Sequence, residues 1–288
     1  MTNKKRLEIQ QKVIFQKKEE LRRKMKEKMH QEQMKKKKLA EDTEIQNKKI
    51  LENLYLFKVY QFEDKIRLGC NTDGGYVIGI INEEYDCYIS AGVSNEESFS
   101  RDFIDKYNMT ETNSFGFDGT IKNYPYEYTD KITFVKKNIN SFNDVKNTNL
   151  FDLIDKYNRI FLKMDIEGGE YPWLLALDEI QLTKFSQLVV EFHGITTPDG
   201  YGSKYKDKMK CIEKLSKTHY IIHAHGNCHS PLRLGIPDVL ELTFVNKRLF
   251  DTPPELNTTR LPIPNLDFSN ITIREDYNLN FYPFVNKK

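Results

Sequence analysis

Ile160-Phe161-Leu162-Lys163-Met164-Asp165-Ile166-Glu167-Gly168-Gly169-Glu170 is the stretch on which the reading of this chain turns. An apolar, strand-like run stops abruptly in an acid, a glycine pair follows, and a helix pattern opens with Pro172 in a position suited to a first helical turn. Open α/β sheets deliver charged groups in this way to the crevice beyond the carboxyl ends of their strands, where such folds bind ligands. Glu167 and Glu170 also have a plainer role, because acids near a helix N-terminus are favoured by the helix dipole. Asp165, on the strand end itself, is the acid that points to function.

Outward from this run the same alternation recurs. Asn71-Thr72-Asp73-Gly74-Gly75, lying between Arg67-Leu68 and Tyr76-Val77-Ile78, predicts a hairpin. Strand patterns at 85–90, 114–117, 132–135, 159–165, 188–192, 220–225 and 239–245 are separated by helix patterns. One helix is opened by a Ser94/Glu97 capping box; others are expected around 145–157, 171–177 and 205–216. Strands separated by helices predict an α/β fold, a mostly parallel sheet with helices on both faces. A further helix over 45–62 carries Ile50, Leu54 and Phe62 on one face and is expected to pack on the domain.

The charge divides the chain. Residues 1–50 carry 17 Lys and Arg against 8 Asp and Glu, while the whole chain is only +2, so the remainder is net acidic. The organisation expected is a basic, charged extension at 1–44 and one domain at 45–288. The extension lacks Gly and Pro and reads as a helix. Leu7, Ile14, Leu21 and Met25 hint at a heptad that fails at Lys28, leaving a coiled coil and a solvated charged helix both open. Polyanion or protein contact is the function its charge suggests. Four cysteines without paired spacing read as reduced thiols. With no signal-type apolar stretch near Met1 and no long apolar run, the expectation is a soluble cytoplasmic protein without a membrane span.

Each strand end offers chemistry. Ser90-Ala91-Gly92-Val93-Ser94-Asn95 gives one glycine for a tight turn and amides that could receive an anion. Asp118 ends the second strand, where an acid can accept from ribose hydroxyls, although a turn Asp before Gly119 is the plainer reading. Asp165 and Glu191 fall at comparable points on strands expected to be neighbours. With His193 they could hold a divalent ion, or act as base and electrostatic partner for a proton transfer. His223 and His225 point to one face of the next strand, and five of six histidines fall between His193 and His229. Trp173 reads as a core or rim aromatic.

Several of these segments resemble one family. Asp165-Ile166-Glu167-Gly168-Gly169-Glu170 is similar to the signature of FkbM-type methyltransferases. Asp73-Gly74-Gly75-Tyr76-Val77, Ser90 to Asn95, Phe117-Asp118, Glu191-Phe192-His193 and His223-Ala224-His225-Gly226-Asn227 resemble other segments of that superfamily in the same order, over roughly 50–288. The resemblance implies a Rossmann-like class I methyltransferase fold with seven strands, the last antiparallel, and an S-adenosylmethionine-dependent O-methyltransferase activity. It implies that Gly92 with its neighbours Ser90 and Asn95 approaches the cofactor's methionine part, that Asp118 holds the ribose, and that Asp165 lines the pocket near the sulfonium. His193 is the expected base, with Asp165 or Glu191 as orienting partner. Asp165, Glu191 and His193 are also the expected ligands should a divalent metal such as Mg2+ be a second cofactor. The acceptor class favoured is a sugar hydroxyl of a glycan or glycoconjugate, or a small-molecule hydroxyl. Two other readings stay open: an RNA methyltransferase that anchors phosphates with the basic arm, and a non-catalytic adaptor on a methyltransferase-like fold.

Overall fold

The computed structural model describes residues 3–125 and 130–287. Contacts divide the chain into Met1–Leu51 and Glu52–Lys288. The first unit is helical: α1 spans Asn3–Asn53. Its exposed face carries spaced pairs such as Lys24–Glu20 (2.8 Å) and Arg23–Glu27 (3.7 Å), which solvent screens. Leu21, Met25, Met29, Met34 and Leu39 are exposed on it. The helix expected over 45–62 ends early. Leu54–Phe57 forms a turn of 3-10 helix, and Val59 and Tyr60 then make bridges to Ile221 and Leu256, a pairing that suits β-branched and aromatic side chains.

In the second unit, β1 (Lys65–Leu68) and β2 (Tyr76–Gly79) form the expected hairpin. β3 (Cys87–Ala91), β4 (Ser114–Phe117), β5 (Thr133–Val135), β6 (Ile160–Met164), β7 (Phe185–His193), β8 (His219–Gly226) and β9 (Val239–Asn246) make one seven-stranded sheet. Its order is β8-β9-β7-β6-β3-β4-β5. The neighbours from β5 through β7 pair in parallel, and β9 runs antiparallel between β7 and β8, so the sheet is mixed. Strand order reverses at β3, which has β4 on one side and β6 on the other. That reversal opens a crevice beyond the strand ends.

The helices are α2 (Ser98–Tyr107), α3 (Phe151–Lys156), α4 (Glu170–Ala176), α5 (Glu179–Thr183) and α6 (Tyr205–Thr218). Side-chain alternation sends β6 and β7 residues to two faces. On one, Phe161 and Val189 join Phe99, Phe103 and Ile104 of α2 and Tyr76 and Ile78 of the hairpin, with the Phe103 and Phe161 rings 4.2 Å apart. On the other, Phe192 meets Tyr171 of α4 at 5.6 Å, and Cys211 of α6 donates its thiol to the Tyr171 carbonyl. Each such aromatic contributes roughly 1.5–3 kcal/mol through burial. Trp173 is a core residue, fully buried, with its Nε1 donating to the Asn149 carbonyl at 2.8 Å. All four cysteines are free thiols. No helix among the described residues is long and apolar enough to cross a membrane.

Two further helix expectations need correction. Ser94 does not cap α2: it sits in the left-handed region at φ 50°, and the helix opens four residues later, with Glu96 Oε1 accepting from the Ser98 amide at 2.7 Å. The helix expected around 145–157 contracts to α3. Asn143, Asp144 and Asn149 accept hydrogen bonds from nearby backbone amides, and such local bonds compete with helix formation.

Candidate active site

The crevice is built by three strand ends tied together. The Asp165 amide donates to the Ala91 carbonyl and the Gly92 amide to the Phe117 carbonyl, both at 2.9 Å. Gly92 adopts φ +78°, and a Cβ there would lie 1.6 Å from the Asp165 carbonyl oxygen. Asp118 Oδ2 accepts from the amides of Val93 (3.1 Å) and Ser94 (2.8 Å), and Oδ1 from the amide and hydroxyl of Thr120 (2.7 and 2.6 Å). Burial alone would raise its pKa, but these bonds outweigh burial and hold the carboxyl below the usual range. With the Ile121 amide at 3.4 Å, five donors fill the carboxylate's acceptor sites, so Asp118 clamps the 92–95 turn in this conformation.

Lys163, which the sequence reading passed over, braces the same turn. Its Nζ donates to the Gly92 carbonyl at 2.7 Å and lies 5.4 Å from the Tyr76 ring centroid. A lysine inside an otherwise apolar strand was the available signal, because a buried ammonium needs a partner. Ser90, Gly92, Asn95, Asp118 and Asp165 all line a cavity of about 450 Å³. Glu97 lines it too; burial pushes its carboxyl up to about 7.

Beyond the cavity, β6 and β7 run parallel with Met164 opposite Val190, which sets Asp165 level with Glu191. His193 ends β7 and gathers four carboxylates. Nδ1 lies 3.3 Å from Glu170 Oε1; Nε2 lies 3.4 Å from Glu167 Oε2 and 3.9 Å from both Asp165 Oδ1 and Glu191 Oε1. Burial would lower the imidazole pKa, but the Glu170 hydrogen bond, together with the charges of Glu170, Glu191 and Asp165, raises it to about 9. His193 is therefore an imidazolium at neutral pH. Burial first, then the charges of Asp165 and Glu241, push the Glu191 carboxyl well above the usual range. The Tyr76 hydroxyl bridges the two strand ends, 3.3 Å from Glu191 Oε2 and 3.5 Å from Asp165 Oδ2.

A family model for the methyltransferase FkbM domain matches residues 42–222. The chain belongs to the FkbM methyltransferase family. No curated protein and no solved structure matches it. The family assignment supports a methyltransferase with a class I fold, and the matched stretch holds Gly92, Asp118, Asp165, Glu191 and His193.

The FkbM-domain cluster differs from the sequence reading in three ways. Glu170 does more than start α4: it is fully buried, its Oε1 accepts from the Ile166 amide at 3.1 Å, and it holds the His193 ring. The His223/His225 pair stays apart from His193. His223 Nε2 bonds Asp267 at 2.8 Å, while His225 lies between Glu241 (3.0 Å) and Asp276 (2.9 Å). These buried pairs pin the segment after β9, past the FkbM match, and Asn270 extends that tie by donating to Glu241 and to Asp73 at the cavity rim. The metal-type groupings also differ from the expected Asp165, Glu191 and His193: Asp165, Glu167 and His193 form one, and Asp73, Glu191 and Glu241 another.

Glu170→Gln tests the origin of the His193 charge. With the carboxylate gone, the imidazole titration followed by NMR should fall by about one pH unit or more. An unchanged titration would mean that the other acids suffice.

Proposed function

We propose that this protein is an S-adenosylmethionine-dependent O-methyltransferase acting on a sugar hydroxyl of a glycan or glycoconjugate, with catalysis in 45–288 and 1–44 as a basic helical extension. The observation that carries the reading is the acid-ringed His193 beside a cavity at the reversal of strand order. The cavity's residues fit the cofactor. Ser90 and Asn95 offer polar partners for an amino-acid moiety, Phe99 and Ile139 an apolar surface for a flat base, and Asp165 a carboxylate for a cationic centre. When bound, S-adenosylmethionine supplies an electrophilic methyl group on a positively charged sulfur.

The chain's own part is alignment and proton removal. Asp165 lines the cavity and also lies 3.9 Å from His193 Nε2. Positive charge held against Asp165 would weaken the field that keeps the ring protonated. Neutral Nε2 would then take the proton from the acceptor hydroxyl as the methyl carbon's bond to sulfur gives way to the new C–O bond, while Glu170 holds Nδ1 and stabilises the imidazolium produced. A Mg2+ ion, which takes an octahedral set of oxygens, fits the Asp165, Glu167 and His193 grouping poorly because of its imidazole nitrogen, whereas Asp73, Glu191 and Glu241 offer oxygens alone.

Calorimetric titration of S-adenosylmethionine with and without Mg2+, followed by a methyl-uptake screen on sugar and RNA acceptors, tests the reading. Cofactor binding without Mg2+ and methylation of a sugar are expected. Failure to bind the cofactor in every condition would sink it. RNA methylation is the second reading, favoured by the basic α1. It requires steeply salt-dependent RNA binding that deletion of 1–44 abolishes.

A further inference from the structure

We propose that Tyr201 is the platform on which the acceptor stacks, forming a binding site for an uncharged pyranose ring beside His193. The proposal deepens the sugar-methylation reading and rests on it. Asp199–Gly200 and Ser203–Lys204 pair as a short antiparallel hairpin that sets Tyr201 at its tip. Tyr201 adopts φ +52°, and Gly202 follows at φ +70°. A bulky aromatic rarely occupies this strained region, so the surroundings must impose it.

They do so from both sides. Gly168 (φ +100°) and Gly194 (φ +70°) form a seat in which an added Cβ would come within 2.5 and 2.4 Å of the Tyr201 side chain. The base of the hairpin is rigid. Buried Asp238 accepts from the Thr196 amide (2.8 Å) and the Thr197 hydroxyl (2.9 Å), and buried Lys208 donates to the Gly194 carbonyl (2.8 Å). Despite this seating, Tyr201 is 41% exposed, and its ring lies 5.5 Å from the His193 ring at a tilt of 41°. The result is a fixed, half-open aromatic face one side chain away from the candidate base. Tyr201 does not line the 450 Å³ cavity, so the acceptor platform and the cofactor space meet His193 and its acids from different quarters.

The surrounding charge selects the ligand. An aromatic face suits the apolar C–H face of a sugar ring, and a rigid aromatic anchor loses little entropy on binding. Asp165 and Glu167, beside the platform, accept hydrogen bonds from hydroxyls. Asp165, Glu167 and Glu170 outnumber the positive charges of His193 and of Lys208, whose Nζ lies 5.8 Å from the Tyr201 ring centroid, so phosphate and sulfate are opposed and a neutral sugar is favoured over a nucleotide. An RNA base could stack on Tyr201 as well, but its phosphates would enter this acidic surface.

The test uses saturation-transfer NMR on the full chain loaded with S-adenosylhomocysteine, with methyl glycosides of mannose, glucose and galactose as probes. Wild type and Tyr201→Phe should transfer saturation to the ring protons of at least one glycoside. Tyr201→Ala should weaken that binding about tenfold or more, with S-adenosylhomocysteine affinity and melting temperature unchanged. The proposal is overturned if no glycoside receives saturation from wild type, or if Tyr201→Ala binds glycosides like wild type. It is equally overturned if the alanine variant loses cofactor affinity in parallel, or if a short oligoadenylate binds through Tyr201 more tightly than any glycoside. Should glycosides bind through Tyr201 yet accept no methyl group, the platform stands and the methyl-transfer reading falls.

Discussion

His193→Ala is expected to lower kcat for methyl transfer about 10²- to 10⁴-fold, the range spanned by removal of a positioned general base, while S-adenosylmethionine affinity changes little. The pH profile gives the sharper check. A base must be neutral, and the His193 pKa stands at about 9 because carboxylates surround it. The wild-type log(kcat/KM) should therefore climb about one decade per pH unit through neutrality and level off above about 9. The alanine variant should lose that limb. Stability moves the other way. A pKa raised above the ordinary 6.5 of histidine stabilises the fold below that ordinary value, and the contribution is lost as pH rises through about 9. Thermal unfolding across the same pH series should show wild type losing stability where it gains rate, and His193→Ala without that dependence. If His193→Ala keeps wild-type kcat while Asp165→Asn abolishes it, the proton goes to Asp165 and the assignment to His193 is wrong.

The sequence made this cluster half visible, for a physical reason. Residues at the ends of neighbouring parallel strands are fixed by strand period and order alone, so Asp165, Glu191 and His193 could be placed together before any coordinates. Glu170 could not. Its reach to His193 depends on the turn at Glu167 (φ +56°) and Gly168 (φ +100°) folding the start of α4 back under the strand end, and sequence spacing alone offers only the helix-dipole explanation. The partners of His223 and His225 were hidden by distance, since Asp267 and Asp276 come from a segment more than forty residues further along. Lys163 was legible in principle, as a charge inside an apolar strand, and its partner is a backbone carbonyl that no side-chain pattern reveals. The contracted helix at 145–157 is a case of local polar bonds overriding apolar spacing.

Gly92→Ala should be the most damaging single-methyl change in the crevice. Two costs combine there. The left-handed φ of +78° disfavours any Cβ by about 1–2 kcal/mol. The new Cβ would also lie 1.6 Å from the Asp165 carbonyl oxygen, and a main-chain atom cannot rotate aside as a side chain can. The ends of β3 and β6 must then part, breaking the bond between the Asp165 amide and Ala91 and pulling the Gly92 carbonyl away from Lys163. An ammonium left buried without its acceptor costs several kcal/mol. A total of about 3–5 kcal/mol should lower the melting temperature by roughly 6–20 °C for a domain of this size, with cofactor binding lost to calorimetry. Gly202→Ala separates the two costs. Gly202 has a similar φ of +70°, but a Cβ there would meet nothing within 4 Å, so only the conformational term of about 1–2 kcal/mol remains. If the two variants melt together, the approach of Asp165 to Gly92 is looser in solution than the fold requires, and the crevice is not held by the contact between those two strand ends.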